Sequence, residues 1–350
     1  MSQQNEKYHQ PVMLAECMDG LAIHPDGVYV DVTFGGGGHS RAILERLGEG
    51  GRLYAFDRDS DAIANGIDDP RFCLIHENFK HLKSFLRLNG VRRIDGLLAD
   101  LGISSHQIDA AERGFSTRLD GPLDLRMDRR EGGTAADLVA SADENELASI
   151  LRLYGELPNA AALAHAIVKR RTENGERRTE NGERRTENGE RRTENGERRT
   201  ENGERRTENG LSTGNRVLSE GIVTTSDLKD AVAALLPRGR ENKTLAMIFQ
   251  ALRIEVNGEL EALRQMLLQA TEILNPGGRL CVMSYHSLED RLVKNFFRTG
   301  NFEGEVEKDF FGNLIAPLSC VTRKPLTATA EELQYNNRAR SAKLRVAEKK

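Results

Sequence analysis

The first hundred residues alternate between short apolar runs and stretches with a helical pattern. The runs are rich in β-branched and aromatic side chains, and the stretch after the first run places Ile43, Leu44 and Leu47 on one helical face. Strands that alternate with helices form parallel sheets in α/β proteins. The pattern therefore predicts a doubly wound α/β fold, with strands at Gly27–Thr33, Arg52–Phe56, Phe72–Ile75 and Ile94–Ala99.

A further strand is predicted much later in the chain, at Gly278–Met283, followed by a helix from Leu288. The segment SYHS lies between them. Its last residue, Ser287, precedes Asp290 by three positions, which is the spacing of an N-terminal helix cap with an acidic partner. We therefore expect Ser287 to cap this helix.

From Arg170 to Gly210 the unit RRTENGE repeats almost six times without an error. A period of seven suggests a coiled coil, but the unit has no apolar residue that could form the buried seam. Asn-Gly in each unit favours turns, and 12 Arg against 11 Glu leave the segment close to neutral. We predict a solvated insertion without catalytic residues, with a helix leading into it over Ala160–Arg171.

The distribution of apolar residues argues against a membrane protein or a secreted protein. No stretch approaches the roughly 18 apolar residues of a membrane span, and the N-terminus lacks a basic segment followed by an apolar one. The four cysteines form no C-x-x-C pair, and Cys73 and Cys281 lie in apolar runs, where we expect them to be buried. These features predict a cytoplasmic protein without a membrane partner and without a metal site.

The net charge of −4 argues against bulk attraction to nucleic acid, although it does not exclude a local basic patch. The tail Arg338–Lys350 is strongly basic. Because runs of charge are usually solvated, we predict that this tail is an exposed face.

The first candidate ligand-binding segment is Phe34–Ser40, FGGGGHS, which joins the first strand to a helix. Bare backbone lets a nucleotide approach closely, and α/β folds bind such ligands in this way. The next strand ends about twenty residues later in Asp57, whose carboxylate can accept both hydroxyls of a ribose. Ser40 stands where the dinucleotide fingerprint needs glycine or alanine, and no G-K-[ST] follows. The segment predicts a nucleoside-containing cofactor, disfavours NAD and excludes a P-loop.

Asp100 opens the segment DLGISSHQ at the carboxyl end of the fourth strand, where open α/β sheets bind ligands. Methyltransferases that act on amino groups place a short polar motif here, which accepts hydrogen bonds from the amine. Ser284, Tyr285 and His286 follow the later strand and would face the same edge. Asp100, Ser284 and His286 are therefore the candidate catalytic residues, and a structural role for His286 stays open as an equal alternative.

Six segments of the chain form one ordered series: DVTFGGGGHSRAIL, DGLLADLGISSHQID, GFSTRLDGPLDLRMD, FQALRIEVNGELEAL, SYHSLEDRLVKNFF and NNRARSAKLRVAE. In order and spacing they resemble the bacterial 16S rRNA cytosine-N4 methyltransferase family, also called RsmH or MraW. The resemblance runs from about His9 to Glu348 outside the repeat. It implies a class I, S-adenosylmethionine-dependent methyltransferase. Its substrate would be the N4 amine of cytosine 1402, near the decoding centre of 16S rRNA in the 30S subunit.

The resemblance also implies residue roles. Gly37, Gly38 and His39 would contact the methionine part of S-adenosylmethionine, and Asp57 would hold the ribose. Phe79, Asp100 and Gln107 would complete the pocket. Phe79 and Gln107 are assigned by the resemblance alone, whereas the glycine loop, Asp57 and Asp100 also follow from the pattern of strands.

The family's organisation implies a methyltransferase domain at residues 1–105 and 239–350, interrupted by an inserted helical domain at 106–238. This chain departs from the family's pattern in or beside that insertion. LPNAAALAHAI follows Glu156, and Asn242–Thr244 replaces a usual His-Pro.

Several alternatives stay open at this point. Phe34, Phe115 or Tyr285 could stack on the target base. A DNA amino-methyltransferase, an NAD-dependent oxidoreductase and a non-catalytic ribosome-assembly factor are the competing functions. The sequence also leaves the oligomeric state open, with a homodimer as one option.

Overall fold

The computed structural model describes residues 11–172 and 221–350. These residues form two compact units: a sheet unit of residues 11–108, 127–132 and 257–350, and a helical unit of residues 109–126, 133–172 and 221–256. The sequence placed the second boundary at 238/239, whereas the structure divides at 256/257. The difference arises because the long helix Glu241–Asn257 belongs, apart from its last residue, to the helical unit.

The strands, numbered in chain order, are β1 Val28–Asp31, β2 Arg52–Phe56, β3 Phe72–Ile75, β4 Ile94–Asp100, β5 Leu274–Ser284, β6 Leu318–Cys320 and β7 Lys343–Lys349. The helices are α1 Leu14–Leu21, α2 Gly38–Leu44, α3 Ser60–Ile63, α4 Leu82–Leu88, α5 Ser105–Asp109, α6 Ala135–Ser141, α7 Glu144–Gly155, α8 at residues 160–172, α9 Thr225–Val232, α10 Glu241–Asn257, α11 Glu259–Ile273, α12 Ser287–Thr299 and α13 Ala330–Tyr335.

The seven strands found in residues 11–172 and 221–350 form one sheet in the order β3-β2-β1-β4-β5-β7-β6. β1 to β5 are parallel, and β7 runs antiparallel between β5 and β6. The prediction of a doubly wound α/β fold is confirmed. The strand order reverses between β1 and β4, which is where sheets of this kind bind their ligands, at the carboxyl ends of the strands.

Helices cover both faces of this sheet because successive strand residues point to opposite sides. Tyr29 belongs to a core formed with α1 and α2, whereas its neighbour Val30 belongs to the core formed with α4, α11 and α12. Both side chains are almost fully buried. Strands that are buried on both faces read as continuous apolar runs, and for this reason the sequence located β1 to β5 well.

The basic tail is not an exposed face, and that prediction was wrong. Residues 343–349 form β7, which pairs with β5 on one side and β6 on the other. Leu344 and Val346 are buried in the core on the α1 side. Charged residues alternate with these apolar residues along β7, so the segment was interpreted as a run of charge rather than as a strand.

The cysteine predictions hold for one residue of two. Cys281 on β5 is fully buried, as expected, but Cys73 is only half-buried. Cys73 lies on β3, at the edge of the sheet, where one side of the strand has no neighbouring strand to cover it.

Three helices of the helical unit begin with the same kind of N-terminal cap. Thr134, Asp143 and Thr224 cap α6, α7 and α9, each with an acidic residue at the third helical position that bonds back to the cap. The predicted helix leading toward the repeat is present as α8. Most of the repeat lies outside the described residues. The prediction that it is solvated concerns those residues and stays a prediction.

Candidate active site

The loop after β1 turns on two glycines with left-handed backbone. Gly35 has a φ of +51° and Gly37 a φ of +77°, a region that residues with a side chain rarely adopt. A Cβ on Gly37 would lie 2.9 Å from the ring of Phe34, whereas one on Gly35 would meet no described atom within 4 Å. Gly38 and His39 follow directly as the first residues of α2. The loop therefore leaves open space at Gly35, whereas a Cβ on Gly38 would come within 2.3 Å of Pro11. The cofactor contacts of Gly37, Gly38 and His39 stay predictions.

Asp57 follows β2, and its carboxylate closes the glycine loop. Oδ2 accepts the N–H of Gly35 at 2.8 Å, and Oδ1 accepts the N–H of Asp59 at 2.8 Å. Burial raises the pKa of Asp57 to about 6, against the lowering effect of these two bonds. Each carboxylate oxygen has two lone pairs. Asp57 can therefore accept ribose hydroxyls while it holds the loop.

Gln107 and Phe79 lie on other elements of the sheet unit. The buried amide of Gln107, on α5, donates through Nε2 to Oδ2 of Asp59 at 2.6 Å and accepts the N–H of Ser104 at 3.0 Å. Phe79 begins a short 3-10 turn and packs, half-buried, against the core. The structure thus ties Gln107 to the segment after β2. Sequence reasoning missed Asp59, although its signal was a second acid two residues after Asp57.

Asp100 ends β4 and is held by side chains from three other parts of the sheet unit. Its N–H donates to Oγ1 of Thr33 at 2.7 Å, and its Oδ1 accepts the hydroxyl of Tyr285 at 2.7 Å. Its Oδ2 lies 3.8 Å from Nδ1 of His39. The ring of Tyr285 lies against Gly102, where a Cβ would come within 3.2 Å of it. Asp100 is therefore fixed at the point where the strand order reverses.

His39 is oriented by the chain before α1. Its Nε2 lies 3.0 Å from the carbonyl oxygen of Val12, and because a carbonyl can only accept, this nitrogen carries a proton. Nδ1 consequently faces Asp100. Next to this pair, the fully buried Asp31 accepts the hydroxyl of Ser40 at 2.7 Å, and burial raises the pKa of Asp31. Asp31 was missed in the sequence, where its signal is a charged residue inside an apolar run.

The electrostatics of this cluster keep Asp100 close to its titration point. Burial raises the pKa of Asp100 to about 6, while His39 and the hydroxyl of Tyr285 lower it. The neighbouring carboxylates of Asp31 and Glu289 raise it. At neutral pH most of the carboxylate is ionised, so it is a strong hydrogen-bond acceptor.

The structure gives Ser284 and His286 contacts within the fold. Ser284 is buried and donates to the carbonyl of Lys343 at 3.5 Å. His286, and not Ser287, caps α12, because its ring accepts the N–H of Glu289 and its backbone is extended while Ser287 is already helical. The prediction of a Ser287 cap was therefore wrong by one residue.

Glu289 extends this cap. Its Oε2 accepts the N–H of Tyr285 at 3.0 Å, and its Oε1 lies 3.1 Å from Nε2 of His286. With Glu259 these side chains place three ligand-type atoms within 4.8 Å of one another. Capping of α12 already accounts for the position of two of them. The catalytic roles of Ser284 and His286 stay predictions.

Each of the three aromatic candidates for stacking on a base contacts another side chain of the protein. Phe34 is buried with its ring centroid 5.5 Å from that of Phe72. Phe115, in the helical unit, is buried with the guanidinium of Arg113 5.9 Å from its ring centroid. Tyr285 bonds to Asp100. The choice among the three stays open.

Comparison with known proteins assigns the chain to a family. The profile of the MraW methylase family matches residues 6–183 and 202–350, with the gap inside the repeat. The chain belongs to the MraW methylase family. The predicted resemblance is confirmed, and the fold is that of a class I methyltransferase.

Named relatives cover the whole chain. It is 50% identical over 343 residues to "Ribosomal RNA small subunit methyltransferase H" of Bacteroides thetaiotaomicron, covering 98% of both chains. The protein of that name from Bacteroides fragilis is 48% identical over 350 residues and 100% of both chains. A solved rRNA methylase from Streptococcus thermophilus aligns over 98% of this chain and 99% of its own at 12% identity and a TM-score of 0.35, so the assignment rests on the sequences.

The family membership makes this chain an S-adenosylmethionine-dependent methyltransferase, which excludes the oxidoreductase and the passive assembly factor. The donor set fits that cofactor. The loop at Gly35 leaves bare backbone with open space, and the Asp57 carboxylate keeps lone pairs for a ribose. Among the described residues, no helix is long and apolar enough to cross a membrane.

Proposed function

We propose that this enzyme methylates the N4 amine of cytosine 1402 in 16S rRNA, with the 30S subunit in the cytoplasm as its substrate. The relatives' names support ribosomal RNA of the small subunit as the substrate class. The observation that carries the proposal is the Asp100 carboxylate, which the Tyr285 hydroxyl holds at the end of β4 beside the glycine loop. A carboxylate at this position can accept hydrogen bonds from the amine that receives the methyl group.

The residues along the edge of the sheet would contact different parts of the cofactor. Gly37, Gly38 and His39 would line the methionine part of the cofactor, and Asp57 would accept the ribose hydroxyls. Phe79 and Gln107 would close the remaining sides, with Gln107 held in place by Asp59. When bound, S-adenosylmethionine supplies an electrophilic methyl group on a sulfonium.

The chain's task is to orient a weak nucleophile. The lone pair of a cytosine amine is delocalised into the ring, so the nitrogen attacks well only when its hydrogens are held and it can become pyramidal. The ionised Asp100 carboxylate and the carbonyl of Leu101 are acceptors suited to those hydrogens. Positioning of this kind lowers barriers by several kcal/mol, up to about 7–11 in the best cases.

Transfer of labelled methyl from S-adenosylmethionine tests the substrate assignment. The full chain is incubated separately with 30S subunits, protein-free 16S rRNA and duplex DNA containing cytosine. We expect label in 16S rRNA of the 30S subunits and none in DNA. Label in DNA, without label in 30S subunits, would establish the competing amino-methyltransferase.

A further inference from the structure

A cavity of about 190 Å³ lies on the sheet unit away from the glycine loop, between α12, β6 and β7. It is lined by Lys294, Phe297, Arg298, Cys320, Thr322, Arg323 and Arg345. Four of these seven side chains are cationic, and none is acidic. No residue of this cavity belongs to the site described above.

Arg345 is the buried member of this set. It lies on β7, on the face that meets α12, and is only 8% exposed. Its Nε donates to Oδ1 of Asp290 at 2.7 Å, while Lys343 bonds the other oxygen at 3.3 Å. Within the described part of the chain, the two terminal amino groups of Arg345 have no hydrogen-bond acceptor. Arg345 is thus a largely buried arginine whose terminal amino groups reach solvent in the cavity, where they can donate a pair of hydrogen bonds to an anion.

Asp290 does not neutralise the cavity. Burial opposes its ionisation, but the bonds from Arg345 and Lys343 outweigh burial and lower the pKa of Asp290. Its single negative charge is therefore shared by two cations. Of the four cavity cations, only Arg345 takes part in that pairing.

The other three cations are exposed around the cavity. Lys294 and Arg323 make no ion pair with any of the residues described, and Arg298 donates to the carbonyl of Gly304 at 3.3 Å. Phe297 is buried, so it contributes an apolar wall rather than an exposed ring. Hydroxyl Oγ1 of Thr322 accepts the N–H of Val346 at 3.1 Å, which leaves its own hydrogen to donate.

Two of the elements that line the cavity begin at the carboxyl edge of the sheet. Lys343 pairs with Ser284 at the carboxyl end of β5, and Arg345 pairs with Val282 two residues further back. α12 begins at this edge, and Arg298 lies about 16 Å along it at 1.5 Å per residue. A strand whose target base enters the Asp100 edge can run along α12 and reach the cavity.

We propose that this cavity binds a backbone phosphate of the RNA substrate that flanks the target cytidine. The inference rests on the proposed function for the identity of the RNA. Arg345 would give a planar donor pair to the phosphate oxygens, and Lys294, Arg298 and Arg323 would surround the phosphate with positive charge. The phosphate positions the strand and carries no sequence information.

The test compares Arg298→Ala/Arg323→Ala with Arg87→Ala/Arg92→Ala, a control that removes two exposed arginines elsewhere on the sheet unit. Binding of a fluorescein-labelled single-stranded RNA spanning the target cytidine is measured across a salt series. We expect the cavity variant to bind roughly ten- to a hundredfold more weakly at moderate salt. The slope of log affinity against log salt should fall by about 0.7 for each phosphate that the variant no longer neutralises. Cofactor affinity should not change.

Methyl transfer to 30S subunits forms the second arm. We expect a raised KM for 30S subunits with kcat nearly unchanged in the cavity variant, because the residues lie outside the reacting centre. Equal RNA binding and equal salt slope in the cavity and control variants would overturn the proposal. So would tight binding of inorganic phosphate without any effect on RNA. If wild-type enzyme methylates no 30S subunits, the proposed function fails, while the RNA-binding arm still decides the cavity.

Discussion

The hydroxyl of Tyr285 donates to Oδ1 of Asp100 at 2.7 Å, across 185 positions of sequence. The bond joins the carboxyl ends of β4 and β5, which are neighbours in the sheet. Because the hydroxyl donates to the ionised carboxylate, it stabilises the charged form of Asp100 and fixes its orientation. Burial in turn raises the pKa of the Tyr285 hydroxyl, so it keeps its proton at neutral pH.

Tyr285→Phe should slow methyl transfer about tenfold or more while leaving cofactor affinity close to normal. The ring, which packs against Gly102, is kept, and only the hydroxyl is lost. Without that donor the pKa of Asp100 should rise, so the acidic limb of the pH–rate profile should move to higher pH. Tyr335→Phe, at an exposed position, is the matched control. An unchanged profile would show that the hydroxyl does not act on Asp100.

Methyl transfer by the wild-type enzyme should fall as the pH drops through about 6. Burial raises the pKa of Asp100 from its usual 3.8 to about 6, so the acceptor becomes protonated below that pH. A pH–rate profile for single turnover with saturating 30S subunits checks this. Because Asp57 also has a pKa of about 6, cofactor affinity must be measured over the same range to separate binding from transfer. Constant single-turnover rates down to pH 5 would contradict the role of an ionised Asp100.

Asp100→Asn should stabilise the protein while removing activity. A folded-state pKa raised above the unfolded value means that the ionised group costs stability above about pH 6 and costs nothing below about pH 4. A rise of the pKa from 3.8 to about 6 corresponds to a stability cost of at most about 3 kcal/mol. The amide oxygen can still accept the Tyr285 hydroxyl. In urea, the free energy of unfolding should therefore be larger for the variant than for the wild type at pH 8, and the two values should be equal near pH 4. A variant that is less stable than the wild type at pH 8 would contradict this prediction.

Asp57→Ala should weaken S-adenosylmethionine binding about ten- to a hundredfold, since a charged acceptor for the ribose is lost and the Gly35 N–H loses its partner. Isothermal calorimetry measures the change. Asp68→Ala, an exposed acid on the following loop, is the control and should bind normally. Equal affinities for the two variants would show that Asp57 does not hold the ribose.

Deletion of five repeat units, Arg170–Glu204, should leave cofactor affinity and turnover almost unchanged. The periodicity means that the shortened chain again carries arginine at position 171, whose side chain donates to the carbonyls of Val139 and Ala142 at 2.7 Å. Loop-closure entropy changes slowly with length, so stability should shift by about 1 kcal/mol or less. A several-fold loss confined to the RNA substrate would instead show that the repeat's arginines bind RNA.

The sequence predicted the elements whose pattern is local. β2 and β3 have the predicted bounds, and Asp57 and Asp100 lie at the strand ends where they were expected. What it could not predict depends on contacts between distant segments. The Tyr285–Asp100 bond, the link between Gln107 and Asp59, and the burial of Arg345 in β7 arise only when the sheet brings separate strands together.

The most direct test of the central claim is the mass spectrum of nucleosides from 16S rRNA after single turnover with isotope-labelled S-adenosylmethionine. Wild-type enzyme and a well-folded Asp100→Ala variant are compared on the same 30S subunits. We predict labelled N4-methylcytidine from the wild type and a rate at least a hundredfold lower from the variant. Label on another atom, or a near-normal rate from the folded variant, would contradict the account of Asp100 as the acceptor for a cytosine amine.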